Sequence, residues 1–365
     1  MLKYHRILRG ILTGNLRDRP YRLNVSLTNL CDSRCKTCDI WQIYPQKRLP
    51  LREELTDDEF KRLFSQLPSS IMWVSFSGGE PHLRKDFCDI MESAFSDIRN
   101  IAMVNVPNNG IKADRCIEDW QRLLAIRRRP FVYITMSLDG EGAVHDDVRG
   151  VDGNYESAIY AFEEIDALCK QHGNAAIGIG LTISKFNFDK IMPFVHNVID
   201  RGISLKIEAA DSGDLYYQGQ AVDERPDLEH DGIRDVIAEI YSLQNKRQWK
   251  WSSPIDFLSR NHVRGAMRFL ENPGKLVIPC RAAHSNYAVD CYGNVNPCFF
   301  FTTGMGNIRQ HDYNLCQLLD ANKEKLSEAR ETIKKGECPR CWHVCNSIDS
   351  MIDRKIRKPW TILDV

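Results

Sequence analysis

The chain has 365 residues, 43% of them hydrophobic, and its 49 lysines and arginines balance its 49 aspartates and glutamates. This length can bury a substantial core without disulfides and corresponds to one large domain, or to a large domain with a smaller one. The zero net charge argues against a general nucleic-acid-binding protein, and no apolar run approaches the ~20 residues that a membrane-spanning helix needs.

The first 20 residues mix basic and apolar side chains, which predicts a helical segment packed on its own domain or lying at a membrane surface. From residue 21 to 248, strand patterns alternate with helical patterns. Strands are predicted at residues 22–27, 71–76, 101–106, 131–137, 175–182 and 203–208. Helices are predicted after the capping box Thr56–Glu59, at 84–98, before Pro130, from Asn154 to Gly173, before Gly202 and after Pro226.

Six strand–helix units in succession predict a parallel sheet, either a barrel or an open doubly wound sheet. In both architectures the functional site lies at the carboxyl ends of the strands. From residue 249 to 365 the pattern changes, because helical pieces there flank a predicted hairpin at 287–301 that turns at Gly293-Asn294. We interpret this part as a second, smaller domain.

The chain contains 13 cysteines, an odd number, and nine of them are grouped. The groups are Cys31, Cys35 and Cys38; Cys280, Cys291 and Cys298; and Cys338, Cys341 and Cys345. The sequence shows no signal peptide, and a chain of this size does not need disulfides to fold. Cysteines at ligand spacing in an intracellular protein therefore indicate metal or iron–sulfur sites.

The first group, Cys31-x3-Cys35-x2-Cys38, lies in the loop directly after the first predicted strand. Three thiolates on one short loop can hold three irons of a 4Fe–4S cube and leave the fourth iron without a protein ligand. An open iron is what a cluster needs to bind a substrate rather than only pass electrons. A structural zinc site is the alternative, although zinc normally takes four protein ligands and His5 is the only histidine nearby.

CxxxCxxC after the first strand of a strand–helix repeat resembles the signature of the radical S-adenosylmethionine (SAM) enzymes. The resemblance implies an α/β fold, a partial (β/α)6 TIM-like barrel, and a 4Fe–4S cluster whose open iron binds SAM. It also implies that one electron cleaves SAM to methionine and a 5′-deoxyadenosyl radical, which abstracts a hydrogen atom from the substrate. The six predicted units agree with this barrel.

Further segments match the family, and the resemblance implies that they bind the cofactor. Gly78-Gly79-Glu80-Pro81 follows the second strand and resembles the family's GGEP motif, which contacts the amino group of SAM. Two glycines let the backbone approach a ligand, and Glu80 offers an acceptor to an ammonium group. The other residues carried over from the family pattern are Asn109, Ser137 and Arg149.

Arg149 has two readings, since it is either the partner of a carboxylate or a surface arginine in a loop. The chain departs from the family at Thr37, the position before the third cysteine, where an aromatic residue commonly packs near the adenine. Trp41 is either a substitute for that ring or an ordinary core residue.

The later cysteines, Cys280-x12-Gly293-x4-Cys298 followed by Cys338-x2-Cys341-x3-Cys345, resemble the SPASM/twitch extension that carries auxiliary iron–sulfur clusters. The resemblance implies one auxiliary 4Fe–4S cluster, because the series is too short for two. Our first choice of ligands is Cys280, Cys298, Cys338 and Cys341, with Cys345 a rival for the fourth place. A zinc ribbon is the alternative, and Cys291 is an extra ligand, a hydrogen-atom donor or an unligated thiol.

Residues that move protons should follow the strands. The sixth strand leads into Glu208 and Asp211, either of which could act as a base in the oxidation of a substrate radical. The alternatives are a solvated acidic loop and a pairing of Lys206 with Glu208 inside the barrel.

Three functional classes are open: a small-molecule enzyme, a peptide or protein maturase, and an electron carrier. The open-iron and glycine motifs disfavour the carrier. Only 30 residues precede Cys31, whereas peptide maturases often carry a leader-binding domain there, so we expect an oxidoreductase-type enzyme that oxidises, epimerises or rearranges a small molecule. The alternative is a maturase with a separate leader-binding partner. We further expect a flavodoxin or ferredoxin as electron donor, no nucleic-acid partner, and a cytoplasmic location, because oxygen-sensitive clusters need a reducing interior.

Overall fold

The computed structural model describes residues 19–210, 231–247, 254–272, 275–339 and 341–357. The predicted N-terminal helix, except for its last two residues, and Asp211 lie outside these ranges. Within the described ranges, the helices are too short or too polar to cross a bilayer.

Six parallel strands form the barrel and follow one another in the sheet in chain order. Their bounds are β1 Arg22–Ser26, β2 Trp73–Ser77, β3 Met103–Asn108, β4 Phe131–Ser137, β5 Ala175–Ile183 and β6 Leu205–Ala209. Each predicted strand is therefore confirmed to within two residues at its start. The partial (β/α)6 TIM-like barrel is confirmed, since each neighbouring pair is parallel.

The helices on the outside of the barrel also follow the prediction. Their bounds are α1 Asp57–Gln66, α2 Phe87–Asp97, α3 Ala113–Leu124, α4 Ala143–Arg149, α5 Asn154–His172, α6 Met192–Asp200, α7 Asp231–Arg247 and α8 Pro254–Glu271. The short α4, which the sequence patterns did not predict, lies between β4 and α5. The capping box is confirmed, because Thr56 Oγ1 accepts from Glu59 N at 3.3 Å and Glu59 Oε2 accepts from Thr56 N at 2.9 Å.

The C-terminal part continues the same sheet. Strand β7 (Asn286–Val289) pairs in parallel with β1, with Tyr287 opposite Leu23. Strands β8 (Asn294–Asn296) and β9 (Gly306–Asn307) then add antiparallel, which gives a nine-stranded sheet among the described residues. The predicted hairpin is confirmed, and Gly293 supplies the positive φ of 85° at its turn.

Three further helices complete the described chain: α9 Leu315–Ala321, α10 Lys323–Lys335 and α11 Val344–Arg357. The start of α11 spans the gap between the first and last barrel strands. Glu208 on β6 accepts the N–H of Val344 at 3.2 Å, and Arg22 on β1 donates to the carbonyl of Val344 at 3.5 Å. The open side of the partial barrel is thus bridged by the C-terminal helix.

The strands have two distinct faces. In β3 and β4, alternate residues such as Val104, Val106, Val132 and Ile134 are fully buried against the helices. Because side chains alternate along a strand, the residues between them point to the inside of the barrel. That inner face is polar, and its residues define the site described next.

Candidate active site

A central cavity of about 290 Å³ lies inside the barrel and at the carboxyl ends of its strands. All six barrel strands line it with alternate, mostly polar residues: Arg22, Asn24, Ser75, Ser77, Asn105, Thr135, Ser137, Gly180, Thr182, Lys206 and Glu208. Residues 299–300 and 343–345 close it from the C-terminal side. The polar positions at every second strand residue were visible in the sequence, but they had not been assigned to a cavity.

The cysteine loop, residues 31–38, forms one wall of the central cavity. Cys31, Cys35 and Cys38 all line it, and all 13 cysteines of the chain, which lie in the described ranges, are free thiols. The end of α4 holds the loop in place, because the carbonyls of Arg149 and Val148 accept from the N–H groups of Arg34 and Lys36 at 2.8 and 2.9 Å.

The three thiols of the loop fit a metal cluster. Burial raises the pKa of Cys31 and Cys38, the latter to about 12, and the nearby negative charge of Cys35 raises both further. Grouped thiols of this kind resist ionisation unless a cation compensates them, and bound iron would supply that charge. The donor set, three sulfurs on one loop facing a cavity, suits three irons of a 4Fe–4S cube.

The two glycines after β2 bring their turn against the cysteine loop. A Cβ at Gly79 would lie 2.1 Å from the carbonyl oxygen of Leu30 and 3.0 Å from Cβ of Cys31, and one at Gly78 would lie 2.3 Å from the carbonyl oxygen of Thr28. Gly79 N donates to Thr28 O at 2.7 Å. Both glycines line the central cavity, but their lack of a side chain is required first by the neighbouring backbone.

Glu80 lines the same cavity and is 4% exposed. Its carboxylate accepts from Asn109 N at 2.7 Å and from His82 N at 3.2 Å, which ties the β2 and β3 ends together. Burial raises its pKa to about 6, although His82 and the two N–H donors oppose the shift. Pro81, by contrast, is buried in a 3₁₀ turn and is not among the described residues that line the cavity.

Asn109 and Ser137 lie at the cavity wall. Asn109 Nδ2 donates to Asp32 Oδ1 at 2.8 Å, so this side chain links the β3 end to the cysteine loop. Thr37 and Trp41 line the cavity as well. The Trp41 ring can therefore pack against a planar ring bound in the cavity.

Arg149 pairs with a carboxylate, which is the first of its two predicted readings. Its Nε lies 2.7 Å from Asp139 Oδ2, and its Nη1 donates to Cys35 Sγ at 3.7 Å. Burial lowers the pKa of Arg149, but Asp139 and the thiols of Cys35 and Cys31 raise it more, so the guanidinium stays charged. Asp139 is itself fixed by Thr182 N at 2.8 Å. A fixed cation therefore lies beside one of the predicted cluster ligands.

Glu208 borders the cavity but is held by several groups at once. Lys206 Nζ lies 3.3 Å from its Oε1, as the sequence reasoning had considered, and His262 Nε2 lies 3.4 Å from its Oε2. Burial raises the pKa of Glu208, yet His343, Lys206 and His262 together bring it below the ordinary range. A carboxylate with so low a pKa is a weak proton acceptor at neutral pH.

Among the C-terminal cysteines, the four first-choice cluster ligands, Cys280, Cys298, Cys338 and Cys341, all lie away from the cavity lining. Burial raises the pKa of Cys280 to about 12 and that of Cys298 to about 11, and the charges of Cys298 and Cys338 add to the shift of Cys280. The Asn346 amide donates to Cys341 Sγ at 3.9 Å and hydrogen-bonds Cys298 as well. These four thiols form a group whose chemistry suits a second cube or a zinc ion.

Cys345 and Cys291 lie elsewhere. Cys345 lines the central cavity, with His343 Nδ1 3.1 Å from its Sγ. Cys291 is fully buried beside Glu54 and does not line the cavity in the described part of the chain. His343 was missed by the sequence reasoning, although its place between Cys341 and Cys345 was a signal.

Comparisons with known proteins agree with this geometry. Residues 25–192 match the model of the radical SAM superfamily. Pre-heme d1 synthase of Dinoroseobacter shibae is 25% identical over 87% of this chain and 78% of its own length. PqqA peptide cyclase of Rhodopseudomonas palustris is 23% identical over 74% of this chain and 70% of its own length.

A solved structure, native anSMEcpe with bound AdoMet and Cp18Cys peptide, superposes with a TM-score of 0.57 over 85% of this chain and 83% of its own, at 15% identity. This likeness supports the barrel fold. With the cysteine loop and the glycine turn on one cavity wall, residues 25–192 belong to the radical SAM superfamily, and pre-heme d1 synthase is similar to this chain along most of its length.

Proposed function

We propose that the chain is an oxidoreductase-type radical SAM enzyme that acts on a small molecule with the help of one auxiliary 4Fe–4S cluster. The observation that carries the proposal is that Cys31, Cys35 and Cys38, the Gly78–Glu80 turn and the C-terminal Cys345 all line one cavity. When bound, the cluster and SAM supply a 5′-deoxyadenosyl radical that abstracts a hydrogen atom from the substrate.

The chain's own residues would bind the cluster and SAM and would orient the substrate. Cys31, Cys35 and Cys38 would hold the cluster, and Glu80 would offer its carboxylate to the SAM ammonium group. Ser137 and Asn109 would supply polar contacts to SAM. Arg149, held by Asp139, would place its positive charge beside the cofactor at Cys35. Since the substrate's C–H bond must face the radical, orientation by these walls is the main catalytic contribution of the protein.

Cys280, Cys298, Cys338 and Cys341 are the proposed ligands of the auxiliary cluster. Two observations support this choice. The Asn346 amide contacts both Cys341 and Cys298. The charges of Cys298 and Cys338 raise the pKa of Cys280, so these three thiols lie near one another. Four thiolates complete one cube without a further protein ligand.

A small-molecule substrate is favoured by the C-terminal segment that occupies one side of the barrel. Val344 bridges Glu208 and Arg22, so the side of the barrel between β6 and β1 is occupied by the chain itself. Of the two relatives described above, pre-heme d1 synthase matches the larger share of this chain, and its name denotes a small molecule, pre-heme d1. The maturase alternative is favoured by the PqqA peptide cyclase relative and would require a separate leader-binding partner.

Glu208 is proposed as the residue that orients Lys206 along the cavity wall rather than as a strong base, because its charge is shared among Lys206, His262 and Val344 N. A flavodoxin or ferredoxin is the proposed electron donor. Asp211 stays a candidate proton acceptor, outside the described residues.

The test uses anaerobically reconstituted protein with SAM and dithionite. We expect about eight irons and eight sulfides per chain, the content of two 4Fe–4S cubes, and formation of 5′-deoxyadenosine. The triple variant Cys31→Ala, Cys35→Ala, Cys38→Ala should retain about four irons and form no 5′-deoxyadenosine. Unchanged SAM cleavage in that variant would overturn the assignment, and about four irons in the wild-type protein would overturn the auxiliary cluster.

A further inference from the structure

A group of three buried side chains that can ligate a metal lies behind the glycine turn, apart from both sets of grouped cysteines. Its members are Glu80, His82 and Cys116, which are 4%, 3% and 1% exposed. A carboxylate oxygen, an imidazole nitrogen and the sulfur of this group all lie within 4.8 Å of one another. Of the three, Glu80 also lines the central cavity, so the group adjoins the space proposed for SAM.

Two elements bring the group together. Glu80 and His82 belong to the 3₁₀ turn after β2, and Cys116 lies on α3, one helical turn before Asp119. Asp119 Oδ2 lies 2.8 Å from His82 Nδ1. An ionised carboxylate can only accept a hydrogen bond, so this contact places the ring proton on Nδ1 and leaves the lone pair of the neutral imidazole on Nε2.

That second nitrogen is unused within the protein. His82 Nε2 is buried and has no hydrogen-bond partner in the part of the chain that the structure describes. A buried polar atom normally has a partner, because burial removes its hydrogen bonds to water. An imidazole that is oriented by a carboxylate through one nitrogen, with the other nitrogen open, is the usual form of a metal-ligating histidine.

The thiol and the carboxylate of the group also call for a cation. Burial raises the pKa of Cys116, and the negative charge of Glu80 raises it further. A divalent metal between the two would favour the thiolate. Thiolate, imidazole and carboxylate are together the ligand types of zinc sites, and three protein ligands leave one position of a tetrahedral zinc ion open.

We propose that Glu80, His82 and Cys116 bind one Zn²⁺ ion and that this ion opposes the binding of SAM. The inference rests on the proposed function and deepens it, since Glu80 is the proposed acceptor of the SAM ammonium group. The thiolate and the carboxylate cancel the two positive charges of the ion. Glu80 then has no net negative charge to offer to a buried ammonium group, so zinc and SAM exclude each other.

The first measurement is zinc content and coordination. Reconstituted protein with about eight irons per chain is dialysed anaerobically against a chelator-buffered zinc solution. We expect about one zinc per chain, with an X-ray absorption spectrum of one sulfur at about 2.3 Å and lighter ligands at about 2.0–2.2 Å. Such a spectrum distinguishes this site from zinc that has replaced iron, which would have three or four sulfur ligands.

Two variants remove one ligand each. His82→Gln and Cys116→Ala should both lose the zinc and keep about eight irons, which shows that the chain still folds around its clusters. Cys169→Ala is the matched control, because Cys169 is a buried thiol on α5 and is not a member of the group. No zinc in the wild type, zinc bound by three or four sulfurs, or full zinc content in both variants would overturn the proposal.

The second measurement is the Kd of SAM by equilibrium dialysis, with and without saturating zinc. Zinc should raise the Kd about tenfold in the wild type and in Cys169→Ala, but by less than about twofold in Cys116→Ala. An unchanged Kd in zinc-loaded wild-type protein would overturn the exclusion. If the wild type neither binds nor cleaves SAM without zinc, the proposed function fails instead, and the zinc content reports on this site independently.

Discussion

Glu208 on β6 accepts the backbone N–H of Val344, the first residue of α11, at 3.2 Å. The same carboxylate is within 3.4 Å of Lys206 and His262, so one largely buried acid joins the last barrel strand, α8 and the C-terminal helix. On the other side, Arg22 of β1 contacts the Val344 carbonyl. The segment that carries Cys341 and Cys345 is thereby fixed across the open side of the barrel.

Glu208→Ala should destabilise the protein strongly. The variant leaves Lys206, His262 and Val344 N without their largely buried acceptor. We expect the free energy of unfolding to fall by about 3 kcal/mol, the lower end of the range for buried pairs, because Lys206 is partly exposed. Urea unfolding followed by circular dichroism measures the change. The matched control is Glu163→Ala, whose exposed pair with Arg201 at 3.2 Å should contribute less than about 1 kcal/mol. Similar losses in the two variants would contradict this role of Glu208.

Gly79→Ala should displace the cysteine loop. The new Cβ would lie 2.1 Å from the Leu30 carbonyl oxygen and 2.6 Å from the Leu30 carbonyl carbon, and these backbone atoms cannot move aside as a flexible side chain would. We expect reconstituted iron to fall from about eight to about four per chain, because the first cube loses its ligand geometry while the auxiliary site is untouched. Gly304→Ala is the control, since its Cβ would meet nothing within 4 Å and its φ of 64° adds only local strain. Full iron content in Gly79→Ala would rule out this packing requirement.

Arg149→Gln should lower the reduction potential of the first cluster. The guanidinium donates to Cys35 Sγ at 3.7 Å, and a cation beside a cluster sulfur stabilises the reduced, more negative state. The expected shift is on the order of 60 mV to more negative values, if the contact differs by about 1.4 kcal/mol between the two oxidation states. Redox titration monitored by electron paramagnetic resonance measures it. Arg115→Gln, which removes a partly exposed pair with Asp119, should leave the potential unchanged.

Glu59 should make the stability depend on acidic pH. The hydrogen bonds from Arg309 hold its pKa at about 2, against an ordinary value of 4.5, with burial opposing and Tyr313 assisting. A lowered folded-state pKa gives stability that is present above pH 4.5 and lost as the pH falls toward 2. Since the pair is partly exposed to solvent, we expect a contribution of about 1–2 kcal/mol.

The measurement for Glu59 compares thermal unfolding of wild type and Glu59→Gln, both without iron, between pH 7 and pH 2.5. The difference in unfolding temperature should be constant at neutral pH and shrink below pH 4.5. A difference that stays constant to pH 2.5 would show that the carboxylate charge has no part in it.

Local patterns determined most of the barrel. Strand 131–137 follows from the alternation of apolar residues along it, and the start of α1 follows from the capping box at Thr56. Both depend only on residues close together in the sequence. The spacing of Cys31, Cys35 and Cys38 is also local, since one loop carries all three ligands. These features were therefore predicted to within a few residues.

Tertiary structure decided what depends on residues far apart in the chain. The pairing of β7 with β1, the contact of Arg149 with Asp139 and Cys35, and the separation of Cys345 from Cys341 are not encoded in any local period. Cys341 and Cys345 are four residues apart around the start of α11, where Val344 is anchored between Glu208 and Arg22, and of the two cysteines Cys345 lines the cavity. Sequence spacing indicated candidate sulfur ligands, whereas packing across the barrel decided which of these cysteines line the central cavity.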